Sequence, residues 1–515
     1  MAYRQAAQAV AGRPARRDRG AGGERTVLGV PERFMRPRIV LALCVGILVA
    51  FGVLMVYSAS SVTALADTGD AAYYLKRELM FLAVGLVAAL ALAVLDYHIW
   101  VQRFLVPIWI VTALLLALVI VAGTDNDMGA TRWINLGFFD LQPSEFAKIT
   151  IVFTAANLAE SYFERGTLDW WGFLKLLAAG VGLPLLLIII QPDKGSTLVL
   201  GLTIIVMGYL AGVPRAYLGI VLFLGVAAFL ALSLKDDYSR QRLLTMLDPE
   251  SDPFRSGYQI LQGFYAFGSG GLFGVGLGFS RQKYSYLPMA HNDFIFAVIG
   301  EECGLVGTLG VLAGFAVFLW AGLQIARYAP DLSGRLLAAG CTSLVVIQML
   351  LNVSGVLGIF PLSGKPIPFI SYGGSSIIAS LMLVGLILSV SIHSRLPETS
   401  HDGMRRSWQV APGEPGGYDA GLSFVGEPVA RSQRPRRDDA VGRRAGSGGP
   451  AGSRGGARGG LTVMEGGSGR SGRGSSGRGA PGRGTTGRGQ RGRIDLGPSA
   501  SERLRDRRGG PRGRR

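Results

Sequence analysis

Ten stretches of this 515-residue chain are apolar enough to be read as crossings of a bilayer, for which a helix needs about 20 residues. They run from Ile39 to Ala59, Leu79 to Leu95, Phe104 to Ala122, Ile149 to Leu158 with its flanks, Phe173 to Ile190, Thr197 to Ala211, Ala216 to Leu234, Phe294 to Ile325, Leu337 to Phe360 and Ile377 to Ile392. The expected fold is an all-α, polytopic membrane protein of about ten transmembrane helices. With 49% hydrophobic and 17% charged residues, a soluble multidomain protein is excluded.

Charge sets the expected orientation. Residues 1–38 carry nine Arg against Asp18, Glu24 and Glu32, and residues 395–515 carry 25 Arg against 11 acids. These flanks contribute +6 and +14 of a net +17, so the membrane region is slightly acidic. Arg-rich flanks stay inside, which an even number of crossings allows for both ends. The expectation is a basic, disordered cytoplasmic tail over 1–38, a membrane domain over 39–394 with a large outer loop at 235–292, and a disordered, Arg/Gly-rich cytoplasmic tail over 395–515. The first segment has no short apolar core or cleavage site, so the first crossing is expected to remain as an anchor. GRG recurs in SGRGSSGRGAPGRGTTGRG from Ser471 onward, without aromatic residues that would stack on bases. Lipid headgroups or an acidic partner suit this tail better than nucleic acid. Cys44, Cys303 and Cys341 all fall in apolar runs, so neither disulfides nor a thiolate metal cluster is expected.

Charges inside such runs are costly and therefore informative. Glu145 and Lys148 in LQPSEFAKIT lie three residues apart, on one helical face, suited either to an ion pair or to substrate contact. Asp193 and Lys194 lie in QPDKGST between two runs, and Glu301 and Glu302 lie just inside the run that Asp293 opens. Asp293 follows a loop containing GSGGLFGVGLG together with Arg240, Arg242, Arg255, Arg281 and Lys283. Glycine backbone can approach a ligand closely, and cations around one carboxylate suit an anionic substrate and a base. Asn292 or Asp293 could equally cap the helix that starts at Phe294.

MVYSASS (Met55 to Ser61), the RWI of Arg132 to Ile134, QPSEFAK, QPDKGST, YLPMAHNDFIFAVIGEECGLVG (Tyr286 to Gly307) and PFISYGGSS (Pro368 to Ser376) resemble the SEDS family of bacterial peptidoglycan polymerases. The resemblance covers about residues 37–395 in consistent order. The chain looks more similar to the cell-division member than to the elongation member, and its tails and HND spelling resemble actinobacterial forms. The resemblance implies ten transmembrane helices and polymerisation of lipid II on the outer face of the cytoplasmic membrane, at the division septum. It makes Asp293 the catalytic residue and Trp133 a residue of substrate placement. Arg132, Arg242, Lys283, His291, Lys148 and Glu145 become candidates for substrate binding. Glu301, Glu302, Asp193, Ser371, Gly373 and Gly374 become structural or supporting residues. The implied partners are lipid II, the nascent glycan strand, a class B penicillin-binding protein that cross-links it, and other division proteins, through the tails. Two departures from the family pattern stand out: Met289 where an acid is common, and Ser363 where a lysine is common, with Lys365 two residues later.

The chemistry agrees with one carboxylate. A lipid-linked pyrophosphate leaves readily once its charge is neutralised by Arg, Lys or a divalent cation such as Mg²⁺ or Mn²⁺, and no organic cofactor is required. A base for the attacking hydroxyl is what remains, unlike the two carboxyls of glycosidases. The alternative is a lipid II flippase, in which Glu145, Lys148, Asp193 and Glu302 would line a polar path.

Overall fold

The structure is a computed structural model that describes residues 26–27, 30–125, 131–135, 137, 140–284 and 286–394. The expected tails at 1–38 and 395–515 lie outside the described residues, apart from a short stretch before Ile39.

Twelve helices carry the described chain. They are α1 Glu32–Thr68, α2 Tyr73–Val94, α3 Leu105–Ala122, α4 Pro143–Ala159, α5 Trp170–Ile190, α6 Lys194–Ala211, α7 Arg215–Lys235, α8 Asp237–Leu247, α9 Tyr258–Gly270, α10 Ile295–Arg327, α11 Leu332–Val356 and α12 Gly374–Ile392. Nine of these, all but α4, α8 and α9, are long and apolar enough to span a membrane. The tenth crossing expected from the sequence is α4, which carries the buried Glu145 and Lys148 and continues through one π-helical turn, Glu160–Glu164. At about 1.5 Å per residue α1 is about 55 Å long, well beyond a bilayer core.

Burial grades the helices. In their most apolar windows α11 is 83% buried and α12 78%, whereas α7 is 6% buried. The core is therefore α11, flanked by α10, α6, α12 and α4, with α2 packed along α12. Because α7 touches chiefly α6 and α8, its apolar surface is left to lipid. At the far end, Arg38 of α1 donates to the Ser391 hydroxyl (2.7 Å) and carbonyl, so the start of the first crossing and the end of the last lie together. The expected loop at 235–292 is partly helical, because α8 and α9 fold within it. A short antiparallel ribbon, Thr124–Asp125, Thr131–Asn135 and Asp140–Leu141, carries Arg132 and Trp133. All three cysteines are free thiols.

The glycine-rich segment packs against a broken helix. Helix α10 breaks at Gly304 (φ 66°, ψ −161°), which frees the carbonyls of Glu301 and Glu302. Val275 and Gly276 donate to them at 2.9 and 3.0 Å, and Gly271 and Leu272 return their carbonyls to Leu305 and Val306. A Cβ on Gly304 would lie 2.4 Å from the Gly274 nitrogen, and one on Gly274 2.1 Å from the Glu302 carbonyl oxygen. Glycine is needed here for main chain to touch main chain. Gly304→Ala is expected to cost about 2 kcal/mol or more, from the left-handed φ and the clash together, read as a lowered unfolding midpoint in detergent. A midpoint equal to wild type would mean that the break is not needed for stability.

Candidate active site

Asp293 stands just before α10, and α10 takes no side-chain cap: Phe294 holds the cap position. The carboxylate is therefore available for something other than starting a helix. The main-chain carbonyl of Asp293 accepts from Asn352 Nδ2 (2.9 Å), and the same amide donates to the Lys365 carbonyl (2.7 Å). Asn352 thus ties α11, the Asp293 loop and the loop before α12 at one point. A Cβ built on Gly364 would sit 3.7 Å from Asp293 Oδ2 and 3.8 Å from Arg242 Nη1, so carboxylate and guanidinium both border that glycine. Arg242 also donates to the Leu362 carbonyl at 2.8 Å.

Asp293 opens on a chamber of about 400 Å³ whose walls include Arg77, Arg132, Trp133, Arg242, Tyr372 and Gly373 to Ser376. Several of its polar atoms have no hydrogen-bond partner: Arg132 Nε, Asn292 Oδ1 and Ser376 Oγ. Such groups are costly when buried unless something binds them. Burial pushes the Asp293 carboxyl above its ordinary range, and Arg242 and then Lys365 draw it partly back.

Beneath the chamber is a buried lattice of charge. Lys365 Nζ donates to Asp193 Oδ2 at 2.8 Å and lies 3.8 Å from Glu145, while Lys148 binds Glu145 (2.7 Å) and Gln348 (2.6 Å). Asp193 also accepts from Ser144 and caps α6 through the Ser196 N–H. Burial alone would raise its carboxyl, but Lys365 and Arg132 hold it well below the usual range. Gly195 leaves room for this, since a Cβ there would lie 3.0 Å from Lys365 Cγ. Of the two roles the sequence left open for Glu145 and Lys148, the structure shows the ion pair: both belong to this lattice, all but inaccessible and bound to one another.

Other candidates also take different places. Lys283 pairs with Glu302 (3.4 Å) and the Gly278 carbonyl, which clamps its loop, and it is not among the residues lining the chamber. Glu302 further accepts from Ser58 of α1 (2.7 Å), and Glu301 from the Arg281 N–H (2.9 Å) and Ser280. His291 is buried against the rings of Tyr74 and Tyr372, and burial takes its imidazole down to about 4, which favours the neutral ring. Ser371 accepts from the Ile367 N–H within its own turn. Gly373 and Gly374 do line the chamber.

Two more cavities adjoin. One of about 330 Å³ shares Arg132 and Arg242 with the chamber and adds Lys194, Ser239, Phe360 and Ser363. It shares Pro192, Lys194, Leu198, Phe229 and Asp236 with the next, a groove of about 610 Å³ walled mainly by apolar side chains of α5, α6 and α7. Lys194 is held at the junction by Asp236 (2.9 Å) and Ser239. Sequence reasoning missed Arg77, Asn352 and the role of Lys365, none of which stood out by spacing.

Comparison with known proteins agrees on one family. The model of the FtsW, RodA and SpoVE group, described as a cell cycle protein, matches residues 38–396. The probable peptidoglycan glycosyltransferase FtsW of Trichlorobacter lovleyi is 41% identical over 73% of this chain and 99% of its own length. Stage V sporulation protein E of Bacillus subtilis is 39% identical over 70% of this chain and 98% of its own. A chain from a peptidoglycan synthase complex, solved to show how polymerisation and crosslinking are coordinated, superposes with a TM-score of 0.56 at 30% identity, covering 69% of this chain and 98% of that one. The chain belongs to the SEDS family of FtsW, RodA and SpoVE.

Proposed function

We propose that this chain is a peptidoglycan glycosyltransferase of cell division that joins lipid II units into β-1,4 glycan on the outer face of the membrane. The observation that carries this reading is a chamber holding Asp293, joined through Arg132 and Arg242 to a cavity that leads on to an apolar groove. A lipid-linked sugar has those two halves. Its polyprenyl chain suits the groove between α5 and α7, and its pyrophosphate suits Arg132 and Arg242.

In this mechanism Asp293 takes the proton of the GlcNAc 4-hydroxyl as that oxygen attacks the anomeric carbon of the lipid-linked MurNAc. The anomeric bond to the pyrophosphate oxygen breaks, its electron pair leaves with the lipid, and the centre inverts. Arg132 and Arg242 are donors that meet the charge as it develops. Among the described residues no three His, Cys, Asp or Glu side chains converge to hold a metal. A Mg²⁺ or Mn²⁺ brought by the pyrophosphate would add charge neutralisation, with the chamber-lining Asp140 as the carboxylate that would hold it and Asp293 left free as the base.

The partner we infer is a class B penicillin-binding protein, a reading supported by the likeness to a complex that coordinates polymerisation with crosslinking; a septal site is supported by the match to a cell cycle protein family, and cytoplasmic tails by the charge of the flanks. Purified protein given fluorescent lipid II, Mg²⁺ and such a partner is expected to yield a ladder of glycan lengths on a gel. An intact, partner-bound protein that yields no ladder, yet moves lipid II across vesicle membranes, would replace this reading with transport.

A further inference from the structure

We propose that the cavity on the far side of Arg242, between α8 and α9, holds the sugars of the growing glycan strand after they leave the chamber. The proposal rests on the polymerase reading above and concerns where its product goes. This cavity, of about 320 Å³, is lined by Gln241, Arg242, Arg255, Ser256, Tyr258 and Gln259 among others. Arg242 is common to it, to the Asp293 chamber and to the cavity leading to the groove, so one side chain forms part of all three walls.

The argument begins from size. A chamber of about 400 Å³ accommodates the reacting sugars and cannot also contain a lengthening strand. The apolar groove is closed to that strand by chemistry, because glycan hydroxyls placed among the leucines and valines of α5 to α7 would lose their hydrogen bonds. The α8–α9 cavity has the opposite character. Two carboxamides, a serine and a tyrosine supply donors and acceptors for neutral hydroxyls, and Arg255, exposed at the rim, suits the carboxylates of a peptide substituent. Gln259 already donates to the Pro288 carbonyl at 3.1 Å, which holds its amide near the segment that leads into Asp293. Both helices belong to the segment between α7 and α10, outside the membrane-spanning windows, where water and not lipid surrounds an emerging sugar.

The class of ligand is therefore a β-linked amino-sugar oligosaccharide bearing acidic side groups, bound weakly enough to slide. A site of this kind governs how long a strand is held between additions, and hence strand length more than the chemical step. The test compares wild type with Gln241→Ala/Gln259→Ala and with Arg255→Ala, each with the partner protein, measuring lipid II consumption, strand length on the gel and unfolding midpoint. Loss of two hydrogen bonds is expected to shorten the mean strand about tenfold, with consumption falling far less and the midpoint unmoved. Unchanged strand length in a folded variant would overturn the proposal, and so would length and consumption falling in parallel, which would assign the cavity to the reacting centre. A wild type that makes no ladder would overturn the polymerase reading itself, before any variant is compared.

Discussion

Asp293→Ala is expected to slow glycan polymerisation by about a hundredfold to ten-thousandfold, the contribution of a positioned base, while the protein remains folded and in the membrane. Asp293→Asn should do the same, since an amide keeps the shape of the carboxyl and cannot accept the proton. The pH profile gives an independent reading. Burial raises the Asp293 carboxyl above its ordinary value, so the base is lost by protonation at a higher pH than for an exposed aspartate. The acid limb of kcat/KM should therefore lie above about pH 4, with activity falling as pH drops through the raised value. Arg242 is the largest of the opposing influences, so Arg242→Gln should move that limb to still higher pH. Normal turnover by Asp293→Ala, or a limb indifferent to Arg242, would end the assignment.

The second large effect is on stability. Lys365→Met removes the cation between Asp193 and Glu145 and leaves Asp193 buried without its strongest partner. Breaking a buried pair in this way costs about 3–5 kcal/mol, and at this depth the protein is expected to denature at markedly lower temperature. Asp193→Asn added to Lys365→Met should recover part of the loss, because the uncompensated charge goes with it. The sign with pH follows. In wild type the Asp193 carboxyl is held below its unfolded value of about 4, so its contribution is present above that pH and is lost as pH falls through the lower folded value. In Lys365→Met the same carboxyl loses the largest influence that lowers it and moves upward, so less of its stabilisation is left to lose and the gap to wild type should narrow on acidification. Equal midpoints for wild type and variant at neutral pH would show that the lattice does not hold the bundle together.

Much of this architecture was legible because hydropathy is local. Each crossing announces itself within its own 20 or so residues, and the i,i+3 spacing of Glu145 and Lys148 already implied a shared face. Partners distant in sequence were not legible. Nothing in PLSGKPIP shows that Lys365 reaches Asp193, 172 residues earlier in the chain. The partner of Lys283 was hidden for the same reason: it is ten residues from Asp293 in sequence, but Glu302, beyond it on α10, takes its ammonium. Glycine was ambiguous in a different way. Backbone that approaches a ligand and backbone that approaches a broken helix have the same composition, and Gly274 against the Glu302 carbonyl is the second kind. Asp293 itself could have been a helix cap by spacing alone, and Phe294 at the cap position decides against that.

The contact of Arg38 with Ser391 brings the chain back to its starting point. A membrane bundle whose first and last crossings touch is topologically a ring opened at that seam, and the order in which the helices are written could begin elsewhere. Joining the end of α12 to the start of α1 with a short linker and reopening the chain at the α6–α7 turn, near Val213, would leave every helix pair except that one connected as before. In the permuted order α7 becomes a terminal helix, its sequence link to the body running solely through α8, so the groove beside it would have one wall free to swing.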